Sequence, residues 1–126
     1  DAAYATNIFD RTFPRGLDVE AFSYESFEYV VSAATTQFER EHVTPYYRDN
    51  ADEFDVTNVA SDAVFSSEQY LDRSDLRITL DEAADYRLLR RIYDEIEYTD
   101  TIPIREAIEH IDAEGLVELN ADVEQK

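Results

Sequence analysis

The stretch LRITLDEAADYRLLRRIYDEI, residues 76–96, decides the fold. Leu76, Ile78 and Leu80 alternate with Arg77 and Thr79, the period-two pattern of a short strand. From Glu82 the period changes. Leu88, Leu89, Ile92, Tyr93 and Ile96 recur at spacings of three and four, so residues 82–97 read as an amphipathic helix. An acid, Asp81, stands at the junction, the place where α/β enzymes set ligand and catalytic groups. A structural role is the stronger reading of the residues alone. Asp81 can cap the helix through its free N–H groups, or Thr79 can do so with Glu82 completing a capping box.

The same alternation of elements continues outward. Pro103 at a helix start, Ile104, Ala107, Ile108 and Ile111 on one face, and Gly115 at the end predict a second helix over 103–114. Upstream, AYATNIF (3–9), LDVEAF (17–22) and FDVTNVA (54–60) read as strands. RTFPRG (11–16) is a turn region, and Ser23 is placed to N-cap a helix ending near Thr35. In EREHVTPYY (39–47) a helix begun near residue 37 meets Pro45, which is expected to stop it and let Tyr46 and Tyr47 turn into the core. Residues 61–75 are polar and irregular, and the tail is polar and expected to be extended. Strands alternating with helices indicate an α/β fold. There is no internal repeat and no glycine-rich phosphate loop.

Composition narrows the function. The 126 residues amount to one domain. Thirty acidic residues against eleven basic ones give a formal charge of −19, which repels a phosphate backbone and argues against a nucleic-acid partner. Lys126 is the only lysine; every other cation is arginine. Added carboxylates with lysine missing point to a halophile, whose molar salt screens self-repulsion over a Debye length of about 3 Å. The absence of cysteine excludes disulfides and thiolate metal sites and fits a cytoplasmic protein. No run approaches a membrane span. There is no methionine, and Asp1 is a poor translation start, so the chain is expected to be a piece of something longer.

Few side chains stand out chemically. Arg11 and Arg15 flank the tight turn, and paired guanidiniums suit a carboxylate or phosphate, although Asp10, Asp18 and Glu20 lie close enough in sequence to pair with them. Arg40 has Glu39 and Glu41 beside it, and His42 is more often packed or solvated than catalytic. There is no Ser-His-Asp spacing, no histidine pair of metal grade and no P-loop lysine. Asp81 alone cannot hold Mg²⁺ firmly, since that ion takes one or two carboxylates plus substrate phosphates and water.

Taken together, YATN, RTFPRGLDVEAFS, EREHVTPYY, LRITLDEAADYRLLRRIYDEI and the tail ELNADVEQK resemble the C-terminal half of the spore-coat polysaccharide biosynthesis protein F group, itself similar to CMP-Kdo synthetase and acylneuraminate cytidylyltransferase. The likeness runs almost end to end. FPRGLDVE and EREHVTPY carry it most specifically. The Asp81 segment keeps both acids of a Val-Asp-Thr-Pro-Glu-Asp-Leu-like string but lacks its threonine and proline. The resemblance implies the C-terminal part of a nucleotide-diphospho-sugar transferase-like, Rossmann-like α/β/α domain, a mixed sheet with flanking helices. It implies a sugar-activating nucleotidyltransferase, with CTP and a sugar or sugar acid as substrates, release of pyrophosphate, Mg²⁺ as cofactor and a homodimeric state.

Under that likeness Asp81 is a Mg²⁺ ligand, while Arg15, Asp18, Glu20, Glu41 and His42 line the sugar side of the cleft. A partner acid in an Asp-Cys-Pro-like motif and the arginine holding the triphosphate would belong to an N-terminal, nucleotide-binding half, so residues 1–126 alone are expected to be inactive. An alternative is a non-catalytic dimerisation or interaction module of a polysaccharide pathway, using helix 103–114 and apolar surface that a missing half would cover.

Overall fold

The computed structural model describes residues 2–124. The chain forms two compact units, one made of the chain up to Arg11 with Asp18–Ala60, the other of Thr12–Leu17 with everything from Ser61 onward.

The first unit is built on a three-stranded mixed sheet in the order β2-β1-β3. β1 (Tyr4–Thr6) pairs antiparallel with β2 (Glu20–Phe22) and parallel with β3 (Val56–Asn58). Helix α1 (Tyr24–Ala33) follows β2, with the Ser23 hydroxyl accepting the Ser26 N–H at 3.1 Å as expected of an N-cap. Its buried Val30 joins Tyr4, Ala34, Tyr46 and Tyr47 in the core. Tyr47 stacks on Tyr4 with ring centroids 4.7 Å apart and shares a hydrogen bond with the buried Ser26 hydroxyl at 2.9 Å. The Tyr4 hydroxyl donates to Glu20, and burial followed by that bond pushes the phenol well above its ordinary range.

The segment 37–49 is two helices, not one. α2 (Gln37–His42) opens with a full capping box between Thr36 and Glu39. It ends before the proline, where Val43 turns to φ 63° and ψ −60° and the Thr44 N–H reaches the His42 carbonyl at 2.7 Å. That is a three-residue turn of the strained hand. Pro45 then opens α3 (Pro45–Asp49) at its first position, where a missing N–H costs nothing. The tyrosines do reach the core, but Pro45 sends them there as a helix initiator and not as a terminator.

The second unit packs α4 (Ala83–Glu95) and α5 (Ile104–Glu114) around Leu76, Leu88, Ile92, Ala107, Ile108, Ile111 and Leu116. Gly115 ends α5 in the left-handed conformation at φ 63°. The expected strand 76–80 shortens to a single parallel bridge between Arg77 and Arg15. A ladder needs a partner along its whole length, and the turn at Arg15 presents only one residue to it.

Candidate functional site

The loop between Arg77 and α4 is shaped by one buried carboxylate. Asp85, at the third position of α4, is fully buried. One of its oxygens, Oδ2, accepts the N–H groups of Asp81 at 3.0 Å and Glu82 at 3.2 Å and the Thr79 hydroxyl at 2.9 Å. Arg77 grips both oxygens, Nε to Oδ1 at 3.0 Å and Nη2 to Oδ2 at 3.1 Å. The Asn120 amide completes the set, donating to Oδ1 at 2.9 Å. Burial alone would raise the Asp85 carboxyl, but Arg77, Asn120, the Asp81 N–H and the Thr79 hydroxyl together hold it well below the ordinary carboxylate range. With its oxygens so occupied, Asp85 is a structural anchor and has no capacity left for a cation.

This arrangement corrects the cap assignment. Glu82, not Asp81 or Thr79, is the N-cap of α4, and Asp85 accepts its N–H as a capping-box partner does. The box lies three residues further along than the Thr79–Glu82 pairing predicts. Asp81 is thereby released from helix duty. Its side chain is 65% exposed and meets Arg77 Nη2 through Oδ2 at 3.3 Å.

The Arg15–Gly16 bend belongs to the same unit and is sewn to the strand-like segment. The Arg15 N–H donates to the Leu76 carbonyl at 2.9 Å, and the Ile78 N–H donates to the Arg15 carbonyl at 2.7 Å. Gly16 is at φ 103°, and a Cβ there would lie 1.9 Å from the Ile78 carbonyl oxygen, so the approach requires glycine. The backbone thus links two features singled out in the sequence, Arg15 and Asp81, through Arg77. The Arg15 side chain is half-buried, and among the described residues no carboxylate pairs with it.

The remaining sequence candidates lie in the first unit. Asp18 accepts two hydrogen bonds from Arg11, at 2.6 and 3.3 Å, so Arg11 is engaged within the chain as its acidic neighbours allowed. Glu20 takes the Tyr4 hydroxyl. Glu41 and His42 are exposed on α2, with the His42 ring 4.7 Å from Phe38.

Among the described residues no group of three or more acidic or histidine side chains is arranged to hold a metal. Asp81 is a lone exposed carboxylate already paired with the Arg77 guanidinium, a donor set that does not by itself make a metal centre. No helix among the described residues is long and apolar enough to cross a membrane.

No protein-family model matches the chain. It is 29% identical over 112 residues to an uncharacterized protein of Methanocaldococcus jannaschii, an alignment covering 88% of this chain and 43% of that protein. Among solved structures, a cytidylyltransferase from Leptospira borgpetersenii serovar Hardjo-bovis is similar with a TM-score of 0.79 and 28% identity, across 98% of this chain and 48% of its own. The chain spans about half the length of the proteins it matches. The mixed three-stranded sheet with flanking helices agrees with the expected α/β class, and the fold is nucleotidyltransferase-like.

Proposed function

We propose that this chain belongs to a sugar-activating nucleotidyltransferase of the cytidylyltransferase kind. The similarity to a cytidylyltransferase along 98% of the chain, at 28% identity, is the observation that carries the reading. In the reaction a sugar hydroxyl oxygen attacks the α-phosphorus of CTP and gives up its proton to solvent, the bond from that phosphorus to the bridging oxygen breaks, and pyrophosphate leaves. Mg²⁺, when bound, neutralises charge on the phosphates.

This chain's own contribution is to present groups. Asp81, exposed and freed from capping by Asp85, offers one carboxylate toward the ion. Arg15, a half-buried guanidinium with no carboxylate paired to it among the described residues, suits the carboxylate of a sugar acid. The sugar-side roles of Asp18, Glu20, Glu41 and His42 are proposals to be tested one alanine variant at a time. A homodimer, a cytoplasmic setting, a product destined for cell-surface polysaccharide such as a spore coat, and adaptation to molar salt complete the reading.

The test is pyrophosphate release from CTP and a panel of sugar acids by the full-length protein. Asp81→Ala should lower the rate at least a hundredfold while leaving the melting temperature within a few degrees, because the exposed side chain makes one long contact. A variant that loses folding in proportion to rate would sink the assignment. Turnover by residues 1–126 alone would overturn the expectation that the nucleotide is held by residues outside this chain.

A further inference from the structure

Helix α4 carries a second apolar stripe beside the one it buries. Leu88 and Ile92 face the core. Tyr86, Leu89 and Tyr93 recur at spacings of three and four further round the helix. Leu89 is half-buried, whereas Tyr86 and Tyr93 are 54% and 53% exposed. Tyr98, itself exposed, extends the stripe by packing edge-on against Tyr93 with ring centroids 5.5 Å apart. Large rings with a polar tip are what protein interfaces collect.

The charges along this open side run in the order that an isolated helix disfavours. Arg87 and Arg90 lie before the middle of the stripe, Asp94 near the end of α4 and Glu97 just beyond it, all exposed. A helix dipole favours acids at the start and cations at the end, yet no basic residue stands in the last turn. The Arg90–Asp94 pair, at 3.4 Å, also has the weaker of the two i,i+4 orientations. Packing against α5 does not explain the order, because that side is served by Arg91 and Glu95, with Glu95 meeting His110 at 2.9 Å. What the order does provide is self-complementarity. A second α4 laid antiparallel sets the cationic half of each stripe against the acidic half of the other, and a two-fold axis makes every such contact twice. A parallel copy would set like against like.

We propose that the exposed Tyr86–Tyr93 stripe is a docking surface for α4 of a second copy of this chain, the two helices antiparallel about a two-fold axis. This gives the homodimer of the preceding reading a contact surface and rests on that oligomeric state alone, not on nucleotide transfer. Two acidic bodies repel at long range, but salt screens that repulsion, while charges in contact and shielded from water are screened less. One helix from each copy makes a small interface, so the dissociation constant is expected to be on the order of micromolar.

The test is sedimentation equilibrium of the full-length protein at about 0.5 M KCl, where the Debye length is already only a few Å. Wild type should dimerise. Arg87→Glu with Arg90→Glu, and separately Asp94→Arg with Glu97→Arg, should each raise the dissociation midpoint about tenfold or more. An equimolar mixture of the two variants should recover dimers, since an acidic stripe then meets a cationic one. Tyr93→Ala should raise the midpoint about tenfold, its ring being lost twice per dimer. The Asp94→Arg, Glu97→Arg chain is less acidic than wild type, so net repulsion alone would make it associate more tightly. That result would overturn the placement on α4. So would wild-type dimers whose midpoint neither charge reversal moves, or a mixture that stays monomeric although far-ultraviolet circular dichroism shows both variants folded. A monomeric wild type, as when another segment or a different partner covers the stripe, overturns the placement and the homodimer together and leaves nucleotide transfer untouched.

Discussion

Asp85 illustrates how one side chain can settle the chemistry of its neighbours. Because it absorbs the Arg77 guanidinium and the loop amides, the acid four positions earlier is left exposed. Its depressed carboxyl also makes stability depend on pH. The unfolded chain binds a proton at this residue near pH 3.9, while the native carboxylate resists protonation. The stabilisation is therefore complete above about pH 5 and drains away as pH falls below the unfolded value toward the native one. Asp85→Asn should cost about 3–5 kcal/mol at neutral pH, since it removes the buried carboxylate that the Arg77 guanidinium grips through both oxygens. Urea unfolding of both proteins at pH 7 and pH 3 checks this: the gap between them should narrow in acid. A gap independent of pH would mean that the bond network and not the charge is what matters. The sequence placed acids at 81 and 85 but could not tell which was the anchor. Asn120 lies 35 residues from Asp85, and no local spacing announces a bond that forms only on folding.

The elements divide by how much of their stability is local. α4 and α5 are readable because the amphipathic period agrees with the face each buries, and in α5 a proline start and a glycine stop agree with it as well. The strand expected at 76–80 is cut short because strand length is decided by what pairs with it, and among the described residues only Arg15 does. At 39–47 the proline was visible, but the break at Val43 was not, since a β-branched residue at positive φ is an outlier no propensity anticipates. Packing gives the sharper test at this scale. Ile108 is fully buried in the cluster around α4 and α5, so Ile108→Ala should cost about 2–5 kcal/mol. Tyr86, 54% exposed on α4, should tolerate alanine within about 0.5 kcal/mol. Equal losses in urea titrations of the two variants would contradict the assignment of the buried face.

At the scale of the whole molecule, charge is the dominant unbalanced force. Thirty acids face eleven cations, so nineteen negative charges go uncompensated however the side chains arrange themselves. Salt acts on two opposing terms. It weakens exposed pairs such as Arg90 with Asp94, each side chain 66% exposed, which are worth at most about 1 kcal/mol. It also screens the mutual repulsion of nineteen uncompensated negative charges, a term that grows with the number of pairs of like charges. The better-shielded bridges, Arg77 with Asp85 and Arg73 with Asp112, lose less to screening because water and ions reach them poorly. Relief of repulsion should win. The melting temperature is expected to climb steadily between 0.1 M and 3 M KCl, and to climb less in a variant with several exposed acids such as Glu97, Asp100 and Glu118 changed to neutral amides. The neutralised variant should also begin from a higher melting temperature at low salt, where repulsion is least screened. A wild-type curve that stays flat or falls with KCl would show that the carboxylates are spaced widely enough for water alone to keep them apart, and the molar-salt adaptation would be withdrawn.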